Sequence, residues 1–310
     1  MAIVNEGLTF PSANGKDTVY AQLWHDDGVT QRGIFQIIHG MGEHVGRYEA
    51  FARFLAEKGF VACGCDLTGH GRSKGADGYG YFADRNGNRT VVEDVHILNE
   101  LVKRRYPGLK SILLGHSLGS FICRSYLVRY GEGLKGAVIS GTSGPNPLTG
   151  VGFFLCRTVK LFRGAKHQSP FLANIQGGSY NKRISGHRTQ FDWLTNDTAV
   201  VDRYIGDELC GFDFTTSGYL DILKLLREIS SRKWAEKIPK GLPCLIFSGS
   251  EDPVGNYTKG VKAVYDRMKA AGVKDVTLKI YEGGRHEMLN ETVKETVYDD
   301  ILSWVNRVMA

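Results

Sequence analysis

Buried-looking apolar runs alternate with helix-spaced apolar positions along most of the chain. The turn Ala13-Asn14-Gly15 followed by weak alternation over Thr18–Trp24 predicts an opening hairpin. Gly33–Ile38 reads as a buried strand that ends at His39-Gly40. Tyr48, Phe51, Phe54 and Leu55 then fall at helical spacing, with Gly59 closing the helix. Phe60–Cys65 is the next strand. A second helix carries Val91, Val95, Leu98 and Val102 and stops before Pro107. Further strands are predicted at Ile112–Leu114, Leu134–Ser140, Leu245–Gly249 and Val276–Tyr281. Val261, Val264, Tyr265 and Met268 mark a helix between the last two, and Ile301, Trp304 and Val305 mark a closing helix. Strands alternating with helices predict a mainly parallel, doubly wound α/β sheet.

The alternation breaks between about Gly144 and Ile238. That stretch shows helical pieces but no buried strand, and it is too long for a plain loop. We read it as an inserted helical cap. The expected organisation is a core over 1–143, a cap over 144–238 and the rest of the core over 239–310.

Composition narrows the setting. The chain has 310 residues, 42% of them hydrophobic, which is ample for a core of this size. No run is apolar enough to span a bilayer. Met1-Ala2-Ile3-Val4-Asn5-Glu6 lacks a basic start followed by an apolar core, so no leader is expected and a cytoplasmic location is. Six cysteines show no CxxC pair, and we expect reduced, mostly buried thiols and no zinc site. The net charge of +6 is unevenly placed. From Val151 to Arg188 stand Arg157, Lys160, Arg163, Lys166, Lys182, Arg183 and Arg188 with no acidic residue.

The chemistry centres on Gly115-His116-Ser117-Leu118-Gly119. It lies where an apolar strand gives way at once to a helical pattern, so Ser117 sits at the apex of a sharp turn. The turn strains Ser117 and demands small neighbours, which Gly115 and Gly119 supply. A serine nucleophile needs a base, and the base an orienting acid. Asp252 follows the strand Leu245–Gly249, held extended by Pro253, with Glu251 as the rival acid. His286 follows the strand Val276–Tyr281 on the glycine loop Gly283-Gly284. All three candidates therefore stand at carboxyl ends of strands, where open α/β sheets place their ligands. The oxyanion donors are expected from the backbone N–H groups of Leu118 and Met41, the latter in the loop His39-Gly40-Met41-Gly42-Glu43-His44. His39 is read as shaping that loop. Gly40, His116 and the cap residue Phe154 are candidate substrate contacts. The segment Asp66–Ser73 lacks GxGxxG and the P-loop lysine and is read as a structural turn.

Together these residues resemble the α/β-hydrolase superfamily. More narrowly, they resemble its monoacylglycerol lipase/lysophospholipase group, which is also catalogued with serine aminopeptidase S33-type hydrolases. The motifs that carry the resemblance are the His39–His44 loop, Gly69-His70-Gly71-Arg72-Ser73, Gly115–Gly119, Gly249-Ser250-Glu251-Asp252 and Gly283-Gly284-Arg285-His286-Glu287. The group often has methionine after the nucleophile, where Leu118 stands here. The resemblance implies hydrolysis of single-chain lipid esters without a metal or cofactor. Three alternatives remain open: an esterase of short or aromatic esters, an S33-type aminopeptidase using a cap carboxylate (Asp192, Asp197, Asp202, Asp207 or Glu208), and a non-catalytic binding module. No nucleic-acid partner is expected, because the basic residues lack an aromatic stacking array. Val151, Phe154, Leu155, Val159 and Phe162 with the cations between them fit either a cap helix on its own core or one that touches membranes. Oligomeric state is not legible.

Overall fold

The computed structural model describes residues 3–231 and 233–310. Met1 and Ala2, the start of the stretch read for a leader, lie outside the described residues. Strands β1 (Ile3–Pro11) and β2 (Thr18–Asp26) form the predicted antiparallel hairpin. They are followed by β3 (Gly33–Ile38), β4 (Phe60–Cys65), β5 (Ser111–His116), β6 (Gly136–Ser140), β7 (Cys244–Gly249) and β8 (Val276–Tyr281). The eight strands make one sheet in the order β1-β2-β4-β3-β5-β6-β7-β8. β2 pairs antiparallel with β4, and all later pairings are parallel. Every residue of β3 through β7 is buried, which explains why these strands read as continuous apolar runs rather than alternation.

Helices α1 (Glu49–Glu57), α2 (Gly87–Arg105) and α3 (Leu118–Tyr130) connect the first strands. Between β6 and β7 the chain runs through α4 (Thr149–Arg163), α5 (Pro170–Gly177), α6 (Thr198–Gly206) and α7 (Thr216–Ser230). The chain closes with α8 (Lys259–Ala270) and α9 (Lys294–Met309). The Thr215 hydroxyl caps α7 by accepting from Gly218 N–H at 3.1 Å.

Leu225 and Ile229 of α7 are fully buried in one cluster with Leu113 of β5, Ile122 of α3 and Ile246 of β7. Each such side chain contributes about 1.5–3 kcal/mol on burial, so α7 is part of the main core. Helix α4 differs, since Cys156 is its one buried residue. The apolar stripe read along it splits in two. Val159 packs on the core, and Leu155 faces the cavity described below. Val151, Phe154, Leu161 and Phe162 face outward at 56–80% exposure. No helix among the described residues is long and apolar enough to cross a membrane.

Candidate active site

Ser117 joins β5 to α3 with φ 53° and ψ −118°, a left-handed conformation that a serine adopts only under strain. Its neighbours are small because the turn is packed against backbone. A Cβ on Gly119 would lie 2.2 Å from the Ile38 carbonyl, and one on Gly115 would lie 2.2 Å from the Gly119 carbonyl. Ser117 N–H donates to the Ser140 carbonyl at 3.0 Å, which ties the apex to the end of β6.

Asp252 and His286 emerge from the ends of β7 and β8 beside it. His286 Nδ1 donates to Asp252 Oδ1 at 2.9 Å. The other carboxylate oxygen accepts from the Ser248 hydroxyl at 3.0 Å, and Val254 N–H donates to Oδ1 at 2.9 Å. Glu251, the rival acid, is exposed and does not meet the ring. Burial opposes charge on the Asp252 carboxylate, yet His286 and these donors hold its pKa below the usual value. Burial likewise opposes a charged His286, but Asp252, Glu287 and Glu43 lift its pKa above that of a free imidazole. His286 Nε2 is buried with no hydrogen-bond partner. The ring is held between His116 and Trp193, with centroids 4.6 and 5.0 Å away. His116 itself is pushed down to about 4 by burial and by His286, so it is neutral at pH 7.

The His39–His44 loop lies directly over the serine. A Cβ on Gly40 would come within 3.1 Å of Ser117 Cβ. His39 shapes this loop as expected: its Nδ1 bonds the Gly40 carbonyl at 2.8 Å, and its Nε2 accepts from Leu67 N–H at 2.9 Å. Leu118 occupies the first turn of α3, where its N–H has no intrahelical acceptor and the helix dipole favours negative charge. The segment Asp66–Ser73 is a structural turn, with the Asp66 carboxylate accepting from the N–H groups of Val45 and Arg72.

A buried ion network links the two halves of the site. Glu43 accepts from Gly40 N–H at 2.5 Å and from the Tyr48 hydroxyl at 2.8 Å. Arg47 bonds Glu43 at 2.5 Å and grips Glu287 through both nitrogens at 2.7 and 2.6 Å. The His39–His44 loop and the His286 loop are thus joined through one guanidinium. Arg47→Met will leave two carboxylates buried and uncompensated, at a cost of about 3–5 kcal/mol at neutral pH. The deficit should shrink as the pH falls and Glu43 protonates, since burial opposes its charge and Arg47 helps to hold its pKa down, which urea unfolding at pH 7 and pH 5 will measure.

Ser117, His286, Gly40, Met41 and His116 open on a cavity of about 1360 Å³ beneath the cap. One arm is apolar, lined by Phe121, Leu155, Leu172, Ile222, Leu223 and Leu226. Phe154 does not line it. The α4 residues that do are Thr149, Gly152, Leu155 and Cys156, one helical face away, and Phe154 stands on the outer face at 70% exposure. The candidate substrate contact at Phe154 is therefore corrected. The five cap carboxylates named above also lie outside the cavity lining, although a sixth, Asp213, is part of it. Asp192 accepts from Arg188 N–H, Asp197 caps α6, Asp202 pairs with Arg188 and Asp207 with His44. Donor atoms of His44, Asp207 and Cys210 lie within 4.8 Å of one another and form a set that a metal ion could use, which the spacing did not reveal. The 2.8 Å bond of His44 to Asp207 accounts for their meeting, and Gly211 N–H to the Gly42 carbonyl closes the same junction.

A family model described as "Serine aminopeptidase, S33" matches residues 30–293. The chain belongs to this serine aminopeptidase S33 family. A carboxyl esterase from Bacillus coagulans, solved in complex with glycerol, superposes on the S33 chain with TM-score 0.93 at 31% identity, covering all of both chains. A monoacylglycerol lipase of Mycolicibacterium smegmatis is 28% identical, with 96% of this chain and 95% of that one covered. Monoglyceride lipase of Homo sapiens is 29% identical, with 93% and 87% covered. The fold is that of the α/β-hydrolases. In this S33 chain, sequence reasoning missed Arg47, Trp193 and the working parts of Glu43, Arg285 and Glu287. The last three stood inside the quoted motifs. Arg285 donates to the cap carbonyls of Asp192 and Thr195 at 2.7 and 3.1 Å, so the histidine loop also anchors the cap.

Proposed function

We propose that the chain hydrolyses carboxylic esters of single-chain lipids through an acyl-enzyme on Ser117. The observation that carries this is the strained Ser117 and the buried Asp252–His286 pair opening together on a cavity with an apolar arm. His286 takes the Ser117 proton as the hydroxyl attacks the ester carbonyl. Leu118 and Met41 N–H groups stabilise the oxyanion, and His286 then protonates the leaving alcohol. Water enters by the same route, with His286 again as base, and releases the fatty acid. Asp252 orients the ring and stabilises its imidazolium. The polar part of the lining, near Glu43 and Arg47, suits a small hydroxylated alcohol, while the Phe121–Leu226 arm suits an acyl chain. The aminopeptidase reading is weakened because Asp192, Asp197, Asp202 and Asp207 are engaged elsewhere and Glu208 lies outside the lining, which leaves Asp213 as the cap carboxylate at the cavity. Assays with p-nitrophenyl esters of two to sixteen carbons, alongside monoacylglycerol and lysophosphatidylcholine, test the proposal. A medium- or long-chain optimum with glycerolipid turnover supports it, and activity confined to the acetate overturns it in favour of a general esterase.

The outer face of α4 extends the proposal. Val151, Phe154, Leu161 and Phe162 are exposed beside Arg157 and Arg163, Phe171 of α5 is exposed too, and Leu148 and Ile175 are exposed at the cavity lining. Apolar side chains rimmed by cations suit transient docking on an anionic lipid surface, next to the cavity that would receive the substrate. Each cation near such a surface contributes about 1 kcal/mol. Reversing Arg157 and Arg163 to Glu should therefore weaken binding to phosphatidylserine vesicles by at least about 30-fold, with Lys160 left on its Ser217 partner. Equal vesicle binding by the two proteins would remove the membrane reading and leave the catalytic one intact.

A further inference from the structure

Arg124 lies in α3, two turns past Ser117, and is 1% exposed. No carboxylate pairs with it among the described residues. Its Nη1 donates to the Ser143 carbonyl at 2.8 Å and meets the Thr142 hydroxyl at 3.3 Å. Its Nη2 donates to the Ile229 carbonyl at 2.8 Å. The guanidinium stacks over Trp234 at 4.4 Å, and Trp234 Nε1 returns a bond to the Arg124 carbonyl at 2.8 Å.

A buried cation without a carboxylate partner is a costly choice if stability alone were served. Burial, with Arg267 nearby, holds its pKa down to about 9. The compensating negative charge is the C-terminal end of α7, whose Ile229 carbonyl Arg124 grips. Arg267 donates to the next carbonyl, that of Ser230, at 2.5 Å. The groups held by Arg124 belong to the two stems of the cap: the loop that leaves β6 and the end of α7. Residues joined to both stems also line the cavity: Ser143 after β6, and Ile222, Leu223 and Leu226 one to two turns back along α7.

We propose that Arg124 fixes the separation of these two stems and so sets which acyl chains the apolar arm accepts. It is a positioning residue, remote from the reacting atoms, and the inference rests on the lipid-ester reading above. A guanidinium is suited to the task because its planar fork holds both stems in one rigid geometry. An ammonium on a flexible stem cannot hold both at once.

The test is kcat and KM for p-nitrophenyl esters of two to sixteen carbons with wild type, Arg124→Met and Arg124→Lys, together with melting temperatures. Methionine keeps much of the length and removes the buried charge, so folding should survive. For the longest esters, KM should rise about tenfold in both variants, while kcat/KM on the acetate stays within about twofold. A uniform fall at every chain length, an unchanged profile, or failure of both variants to fold would assign Arg124 to general stability and overturn the proposal. Failure of the lipid reading shows separately, as a wild-type optimum at the acetate. In that case a variant optimum that still moves supports Arg124 as the spacer, and one that does not overturns it.

Discussion

Ser117→Ala will lower kcat on a p-nitrophenyl ester by about 10⁶-fold. The expectation is large because the hydroxyl is the group that the acyl intermediate needs, and nothing beside it can substitute. His116 is neutral and bonds Ser140 Oγ at 3.2 Å, and Ser120 donates its hydroxyl to the Ser117 carbonyl. Alanine keeps the backbone of the turn, including the bond from residue 117 N–H to Ser140, so the melting temperature should hardly move. Residual turnover of about 10³–10⁴ over water would reflect the two backbone donors and binding alone. Pre-steady-state kinetics and intact mass will check it: wild type should show a burst and an added acyl mass, and Ser117→Ala neither. Near-wild-type turnover by the alanine variant would remove Ser117 from the mechanism.

Asp252→Asn should cost about 10⁴-fold in kcat, less than loss of the serine. The amide no longer opposes a positive ring, and it can donate to Nδ1, which turns the imidazole into the wrong tautomer. The pH profile separates this from a packing defect. In wild type the charge of Asp252 helps lift the His286 pKa above its ordinary 6.5. Protonated His286 cannot accept the Ser117 proton, so kcat/KM is lost as the pH falls through that raised value. In Asp252→Asn the acid limb must move to lower pH while the plateau drops. A drop with the limb unmoved would mean that Asp252 acts only by packing. Stability follows the same groups. The depressed Asp252 pKa gives stability above the unfolded carboxyl value that is lost as pH falls through the folded one. The raised His286 pKa gives stability below 6.5 that is lost as pH rises through its folded value.

The order of elements was readable because each central strand is buried on both faces and therefore continuous in apolar residues. β3, β4 and β8 fall where the pattern puts them, as do the turns that carry Ser117, Asp252 and His286. What the pattern could not give was direction around a helix whose neighbours are unknown. Leu155 and Phe154 are adjacent and equally apolar, yet one faces the cavity and the other solvent. The choice is made by α7, which no spacing rule links to α4. Arg47 was invisible for a similar reason. Its two partners are four and 240 positions away, and charged residues give no periodic signal.

The interruption between β6 and β7 has a consequence for how the molecule is made. These strands are neighbours in the sheet but about a hundred residues apart in the chain. Their pairing closes a long loop, although entropy grows slowly with length, by about 0.6 kcal/mol per doubling. The larger hurdle is order. Synthesis delivers Ser117, its turn and the His39–His44 loop early, while Asp252 and His286 follow the last two strands. α7 shares a core with β5 and β7, so its inner face is fully covered only once β7 has arrived. A chain emerging from the ribosome therefore carries Ser117 for about half of its length before Asp252 and His286 can meet it. Hydrolytic competence arrives as a late event, coupled to closure of the sheet.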